Sequence, residues 1–115
     1  MKVRRRFDFE AAHDLPEHPG KCRDLHGHSY TLVVTVDRTI DPESGLAIDF
    51  GDLKRIVNGE IIEPIDHRYI NDLIDNPTAE NMAVWIWSRL APELPGLIEI
   101  ELHETRNCSV VYRGD

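Results

Sequence analysis

The clearest pattern in the chain is the alternation of apolar and polar positions over residues 30–36. Tyr30, Leu32, Val34 and Val36 point one way; Thr31, Val33 and Thr35 point the other. A period of two means a β-strand with one buried face. His26 and His28 continue the phase of Tyr30, so the strand begins at or just before His26. Residues 2–12 read as another strand, in which Val3, Phe7, Phe9 and Ala11 share a face with His13. Pro16, Pro19 and Gly20 mark a loop between the two. Asp41-Pro42-Glu43-Ser44-Gly45 reads as a turn and residues 46–49 as a short return strand. The period then changes. Leu53, Ile56, Val57 and Ile61 form one apolar stripe on a helix over 52–62, bounded by Pro64. Met82, Trp85, Ile86 and Leu90 repeat those offsets on a second helix, capped by Thr78 after Pro77. Residues 65–76 are irregular. Residues 97–104 and 108–112 close the chain as a strand pair. This order predicts an α+β fold, a four-stranded antiparallel sheet with two helices on one face. The uncovered face and the edge strands predict an oligomer.

Length and charge narrow the picture. The 115 residues read as a single domain spanning 1–115. A net charge of −8 argues against nucleic acid or an anionic membrane as the main partner. Lys2, Arg4, Arg5 and Arg6 are the local exception. They are a solvated strand face or else an anion site suited to phosphates, completed across a subunit boundary. No charged-then-apolar leader precedes the first strand and no apolar run reaches membrane-spanning length, so the expected location is the cytoplasm. Of the two cysteines, Cys108 reads as a small packed residue and Cys22 as the chemical one.

The candidate chemistry centres on Cys22-Arg23-Asp24-Leu25-His26-Gly27-His28. Residues two apart on a strand share a face, which suits His26 and His28 to one metal ion, with His13 as a third ligand. Three histidines leave the fourth position of a tetrahedral zinc open, as catalytic sites do. His-x-His by itself has other uses. Gly27 clears the opposite face for another backbone or a ligand. Glu104 falls on the apolar face of Ile98, Ile100 and Leu102. It either reaches water at a strand end or accepts paired N–H groups from a planar heterocycle. Asp66-His67 is an ordinary loop pair or a proton shuttle; on extended backbone the two side chains would point apart. Thr78 and Glu80 are explained by helix capping, and the free N–H groups of that helix start could add a substrate contact.

Six segments together resemble the 6-pyruvoyl-tetrahydropterin synthase family over nearly the whole chain. They are Phe9-Glu10-Ala11-Ala12-His13, Cys22-x3-His26-Gly27-His28-Ser29-Tyr30 and Ser44-Gly45-Leu46-Ala47-Ile48-Asp49-Phe50, followed by Ile65-Asp66-His67-Arg68-Tyr69-Ile70-Asn71, Pro77-Thr78-Ala79-Glu80-Asn81 and Glu104-Thr105. The short Cys-x3-His-Gly-His spacing resembles the branch that serves queuosine (7-deazaguanine) biosynthesis. A subgroup making a 6-hydroxymethyl pterin has glutamate where this chain has Cys22. Ile65 and His103 depart from the usual residues at their positions. The resemblance implies a tunnelling fold, in which the sheets of several subunits join into a barrel, with hexamers built from two trimers. It implies zinc on His13, His26 and His28, and a catalytic thiol at Cys22 with Asp66 and His67. It implies a pterin anchor at Glu104, aided by Thr78 and Glu80. The implied activity is a zinc-dependent lyase reaction on 7,8-dihydroneopterin triphosphate, giving 6-carboxy-5,6,7,8-tetrahydropterin, acetaldehyde and triphosphate. 6-Pyruvoyl-tetrahydropterin synthesis from the same substrate is the alternative.

Overall fold

The long strands β1 (Lys2–His13) and β2 (His26–Asp37) pair antiparallel over their whole length, from Lys2 opposite Asp37 to His13 opposite His26. The computed structural model describes all 115 residues. It contains five strands, the others being β3 (Arg68–Tyr69), β4 (Leu97–Thr105) and β5 (Cys108–Tyr112), in the spatial order β3-β1-β2-β4-β5. The sheet is therefore mixed and five-stranded, not four-stranded and antiparallel: β3 lies parallel to Ala11 and Ala12. Two residues carry no alternation that could announce a strand. β3 forms because the preceding helix delivers the chain to the open edge of β1.

One face of the sheet is apolar. Phe7, Phe9 and Ala11 of β1, Tyr30, Leu32 and Val34 of β2, and Ile100 and Leu102 of β4 are all buried on it. The rings of Phe9 and Tyr30 stack at 4.9 Å. The helices cover this face. α1 (Phe50–Val57) continues through a π-helical segment (Asn58–Ile62) into a last α-helical turn, α2 (Glu63–Ile65). Leu53, Val57, Ile61 and Ile65 are fully buried and spaced by four residues. In a regular α-helix such a stripe drifts by about 40° at each step. The wider π turn, in which the Glu63 N–H donates to the Asn58 carbonyl five residues back, takes up the drift and keeps the stripe on the sheet. Pro64 sits inside the last turn and does not bound the helix. α3 (Ala79–Leu90) starts at Thr78, whose hydroxyl accepts from the Asn81 N–H at 3.1 Å, and buries Met82, Ala83, Ile86 and Leu90.

The expected return strand over 46–49 is absent. The turn before it forms, with Gly45 at φ +74° donating to the Asp41 carbonyl, but a single further bond, Asp41 N–H to the Leu46 carbonyl, is all the ladder there is. Ile48 turns into the core and Asp49 caps α1 through the Gly51 N–H. Cys108 is exposed at the start of β5, not packed. No helix is long and apolar enough to cross a membrane.

Candidate active site

The β1–β2 register explains the first cluster. His13 lies directly opposite His26, and His28 opposite Ala11, so three imidazoles meet at one end of the apolar face. Their ligand atoms all lie within 4.8 Å of one another. Two of the rings are oriented by backbone carbonyls. His13 Nδ1 is 2.8 Å from the Pro77 oxygen and His26 Nδ1 is 2.7 Å from the Asp24 oxygen. A carbonyl only accepts, so each Nδ1 carries the proton and each Nε2 presents a bare lone pair. Yet the two Nε2 atoms are 3.0 Å apart. Two lone pairs at that distance repel unless a cation lies between them. His28 Nε2 is buried without a hydrogen-bond partner, its nearest acid being Glu104 Oε1 at 3.7 Å. Burial holds His13 and His28 below the usual imidazole pKa, which favours the neutral rings, each with one nitrogen free for a metal. The donor set fits a zinc-type cation, with Pro77 and Asp24 as the outer groups that fix the rings.

The carbonyl of Pro77 is itself held. Asn76 adopts φ +46°, its carbonyl accepts from the Thr78 N–H and the Asn81 side chain, and α3 begins two residues after Pro77. Across the site, Asp14 is tied to Asn71 by two hydrogen bonds of 2.9 and 3.1 Å, which fixes the chain leaving His13. Burial raises the Tyr30 hydroxyl far above its usual range, with the charge of Glu104 adding to the effect. That hydroxyl lies 3.4 Å from His13 Nδ1 and stays neutral.

A cavity of about 360 Å³ adjoins this cluster. Cys22, Thr78, Glu80 and Glu104 all line it, together with Leu15, His18, Cys108 and Ser109. Four predicted site residues from three parts of the sequence thus share one space. Glu104 is half-buried and bridges cavity and triad. Cys22 is half-buried in a short 3₁₀ turn, Lys21–Arg23, and is not among the groups placed to bind a metal.

Asp66 and His67 lie elsewhere. They line up at the β1 edge, where His67 N–H donates to the Glu10 carbonyl at 2.6 Å and Asp66 Oδ1 accepts from the Glu10 N–H at 2.9 Å. His67 takes φ +58°, which folds its ring back onto its neighbour, so Asp66 Oδ1 and His67 Nδ1 meet at 3.0 Å. The two side chains touch, contrary to the expectation from extended backbone. The Glu10 N–H, and then His67, hold the Asp66 carboxyl below its ordinary pKa. His67 lines a different cavity, of about 520 Å³, with Glu10, Gly27, Ser29 and Arg68. Gly27 floors that cavity. A Cβ there would meet nothing closer than the Ala11 oxygen at 3.5 Å, so no close backbone approach demands the glycine.

Sequence reasoning missed the carbonyls of Asp24 and Pro77, which carry no side-chain signal. It also missed Asn71, Asn81 and His18. Of these, Asn81 closes the Pro77-to-Asn81 segment and was open to discovery as part of a cap.

A sequence profile of the 6-pyruvoyl tetrahydropterin synthase family matches residues 2–115. The chain is 40% identical over 117 residues to a 6-carboxy-5,6,7,8-tetrahydropterin synthase of Synechocystis, covering 96% of this chain and 91% of that one. It is 38% identical over 96 residues to a dihydroneopterin monophosphate aldolase of Pyrococcus furiosus, covering 84% and 80%. The structure of 6-pyruvoyl tetrahydropterin synthase from Caenorhabditis elegans superposes with a TM-score of 0.91 at 26% identity, covering 100% and 96%. With the profile matched nearly end to end and the fold reproduced, this chain belongs to the 6-pyruvoyl tetrahydropterin synthase family.

Proposed function

We propose that the chain is a zinc-dependent 6-carboxy-5,6,7,8-tetrahydropterin synthase of queuosine biosynthesis, acting in the cytoplasm as a single-domain homohexamer whose sheets join into a barrel. Its substrates are 7,8-dihydroneopterin triphosphate and one water; its products are the carboxypterin, acetaldehyde and triphosphate. The observation that carries this reading is the joining of the His13–His26–His28 cluster to a cavity lined by Cys22 and Glu104. His13, His26 and His28 would hold the zinc, which would supply Lewis-acid chemistry beside the cavity. Glu104 accepts two N–H groups from the pterin edge, a charge-assisted contact that fixes the reacting carbon near the triad. Thr78 and Glu80, on the same cavity wall, hold the ring from the helix start. Cys22 takes the proton as thiolate, and His67, oriented by Asp66, returns protons or assists loss of triphosphate. Since His67 lines a separate cavity, the complete site pairs Cys22 of one copy with Asp66–His67 of a neighbour.

The Synechocystis relative and the Cys22 position favour this branch over the 6-pyruvoyl and aldolase chemistries. Incubation with dihydroneopterin triphosphate, followed by mass spectrometry, tests it. Acetaldehyde with a carboxypterin is expected. A pyruvoyl pterin reassigns the chain to the alternative branch, and an unchanged substrate in the zinc-loaded protein rejects the reading.

A further inference from the structure

The face of the sheet opposite the helices carries a third cavity, of about 360 Å³, lined by Arg6, Ser29, Thr31, Val33, His103, Thr105 and Arg106. Neither the metal cluster nor the cavity of Cys22 uses these residues. Alternation along β4 places His103 and Thr105 on the face away from Leu102 and Glu104. The sheet thus separates this cavity from a pterin held by Glu104 of the same copy.

Its lining is unusual for this chain. The net charge is −8, yet no carboxylate lines the cavity, while two guanidiniums and an imidazole do. The acids on the same face are engaged by their own donors. Asp8 accepts from the Thr31 hydroxyl at 2.8 Å, Glu10 from the Ser29 hydroxyl at 2.7 Å, and Glu101 lies 3.0 Å from His103 Nε2. Arg6 is only loosely paired, its Nε 3.6 Å from Asp8, and is largely exposed. Arg106 sits at the exposed β4–β5 turn, which the Asn107 N–H closes on Thr105 Oγ1 at 3.3 Å, and its guanidinium has no ion pair. Two guanidiniums facing one space repel each other and offer forked donors that match phosphoryl oxygens.

We propose that this cavity binds a polyphosphate-type anion through Arg6 and Arg106, with His103 as an additional donor. It gives a role to part of the basic cluster at the start of the chain. The anion is either a free polyphosphate or the tail of a substrate held by a neighbouring copy; the chemistry of recognition is the same.

The test is calorimetric titration of the metal-loaded protein with inorganic triphosphate and with inorganic phosphate. Triphosphate should bind at least about tenfold tighter than phosphate, from the additional charge-assisted contacts. Arg106→Glu and Arg6→Gln should each weaken it by about tenfold or more. Arg55→Glu, which makes a like change of charge on exposed α1, should leave it within about twofold, because screening removes distant charges. Equal affinity for the two anions overturns the polyphosphate assignment. Equal weakening by Arg55→Glu and Arg106→Glu reduces the effect to net charge and overturns the site. Binding that survives Arg106→Glu but disappears in His28→Ala places the anion on the metal instead, and also overturns it. The KM of Arg106→Glu for the pterin triphosphate separates the sources. This arm alone rests on the proposed reaction: a raised KM assigns the tail of a neighbour's substrate, an unchanged one a free polyphosphate.

Discussion

The two chemical regions of this molecule are built in opposite ways. The histidine cluster is set by the longest register in the fold, twelve paired positions of β1 and β2, and is closed from outside by the carbonyls of Pro77 and Asp24. His13 is completely buried. The Asp66–His67 pair hangs on the backbone of one residue, Glu10, at the edge of the same sheet, and the His67 ring is 78% exposed. In the first region burial moves the pKa values; in the second hydrogen bonds do, the Glu10 N–H first and then His67. A site that excludes water needs walls. The first region has its own, and the second has only one side of them. The difference teaches that the chain has one finished half, closed by strand register and burial, and one open half at a sheet edge.

The largest effect that this contrast predicts is at Cys22. Cys22→Ala should keep the fold and the zinc, because the metal cluster is complete without the thiol. Turnover should fall by about 10²–10⁴-fold, the usual worth of a positioned proton-transfer group. Zinc content and rate measured on the same variant decide the matter: zinc lost together with rate would make Cys22 a ligand. The contrast itself can be broken by mixing. Cys22→Ala and His67→Ala, each inactive alone, should recover about a quarter of wild-type activity when co-assembled at equal amounts, because random pairing unites an intact Cys22 with a neighbour's intact His67 at one interface in four. Recovery no greater than the sum of the parents would mean that each copy uses its own pair.

The finished half was legible in the sequence and the other was not, for a physical reason. His26, His28 and His13 follow from strand phase, and Thr78 from cap chemistry, because period and local hydrogen bonding are properties of the chain itself. The Asp66–His67 contact depends on a left-handed φ at His67 and on the edge of β1, neither of which its neighbours in sequence announce. Strand β3 and the π segment between α1 and α2 were hidden likewise. Each is decided by where the sheet lies under the chain, and the four-residue spacing of Leu53, Val57, Ile61 and Ile65 was the one available hint of the latter.

Next in size is Glu104. Glu104→Gln preserves shape but turns one acceptor into a donor facing the same N–H edge. Losing one charged bidentate contact should cost about 1.5–3 kcal/mol in substrate binding, read as a rise in KM. Since Glu104 lies 3.7 Å from His28 Nε2 without bonding it, zinc affinity should change far less. A variant with unchanged KM and kcat would remove Glu104 from the site and leave the cavity without its anchor.

The smallest effect concerns the exposed half, and there stability and catalysis can be separated. Asp66 holds the Glu10 N–H and orients His67 with the same oxygen. Its carboxyl is lowered from the usual value of 3.8, so the folded state binds this proton less readily than the unfolded chain. A depressed carboxyl contributes stability that is present above the unfolded pKa and is lost as pH falls through the folded one. Asp66→Asn should therefore be less stable than wild type at pH 7, by less than about 1 kcal/mol for a solvent-screened contact. The difference should shrink as pH falls below 3.8 toward the lowered folded pKa, which denaturant titrations of both proteins at neutral and at acidic pH would follow. The loss of rate at pH 7 should exceed that loss of stability, because asparagine leaves the imidazole without its negative partner while the edge of β1 stays folded. A rate loss that merely tracks the stability loss would make Asp66 a strut for the β1 edge and nothing more.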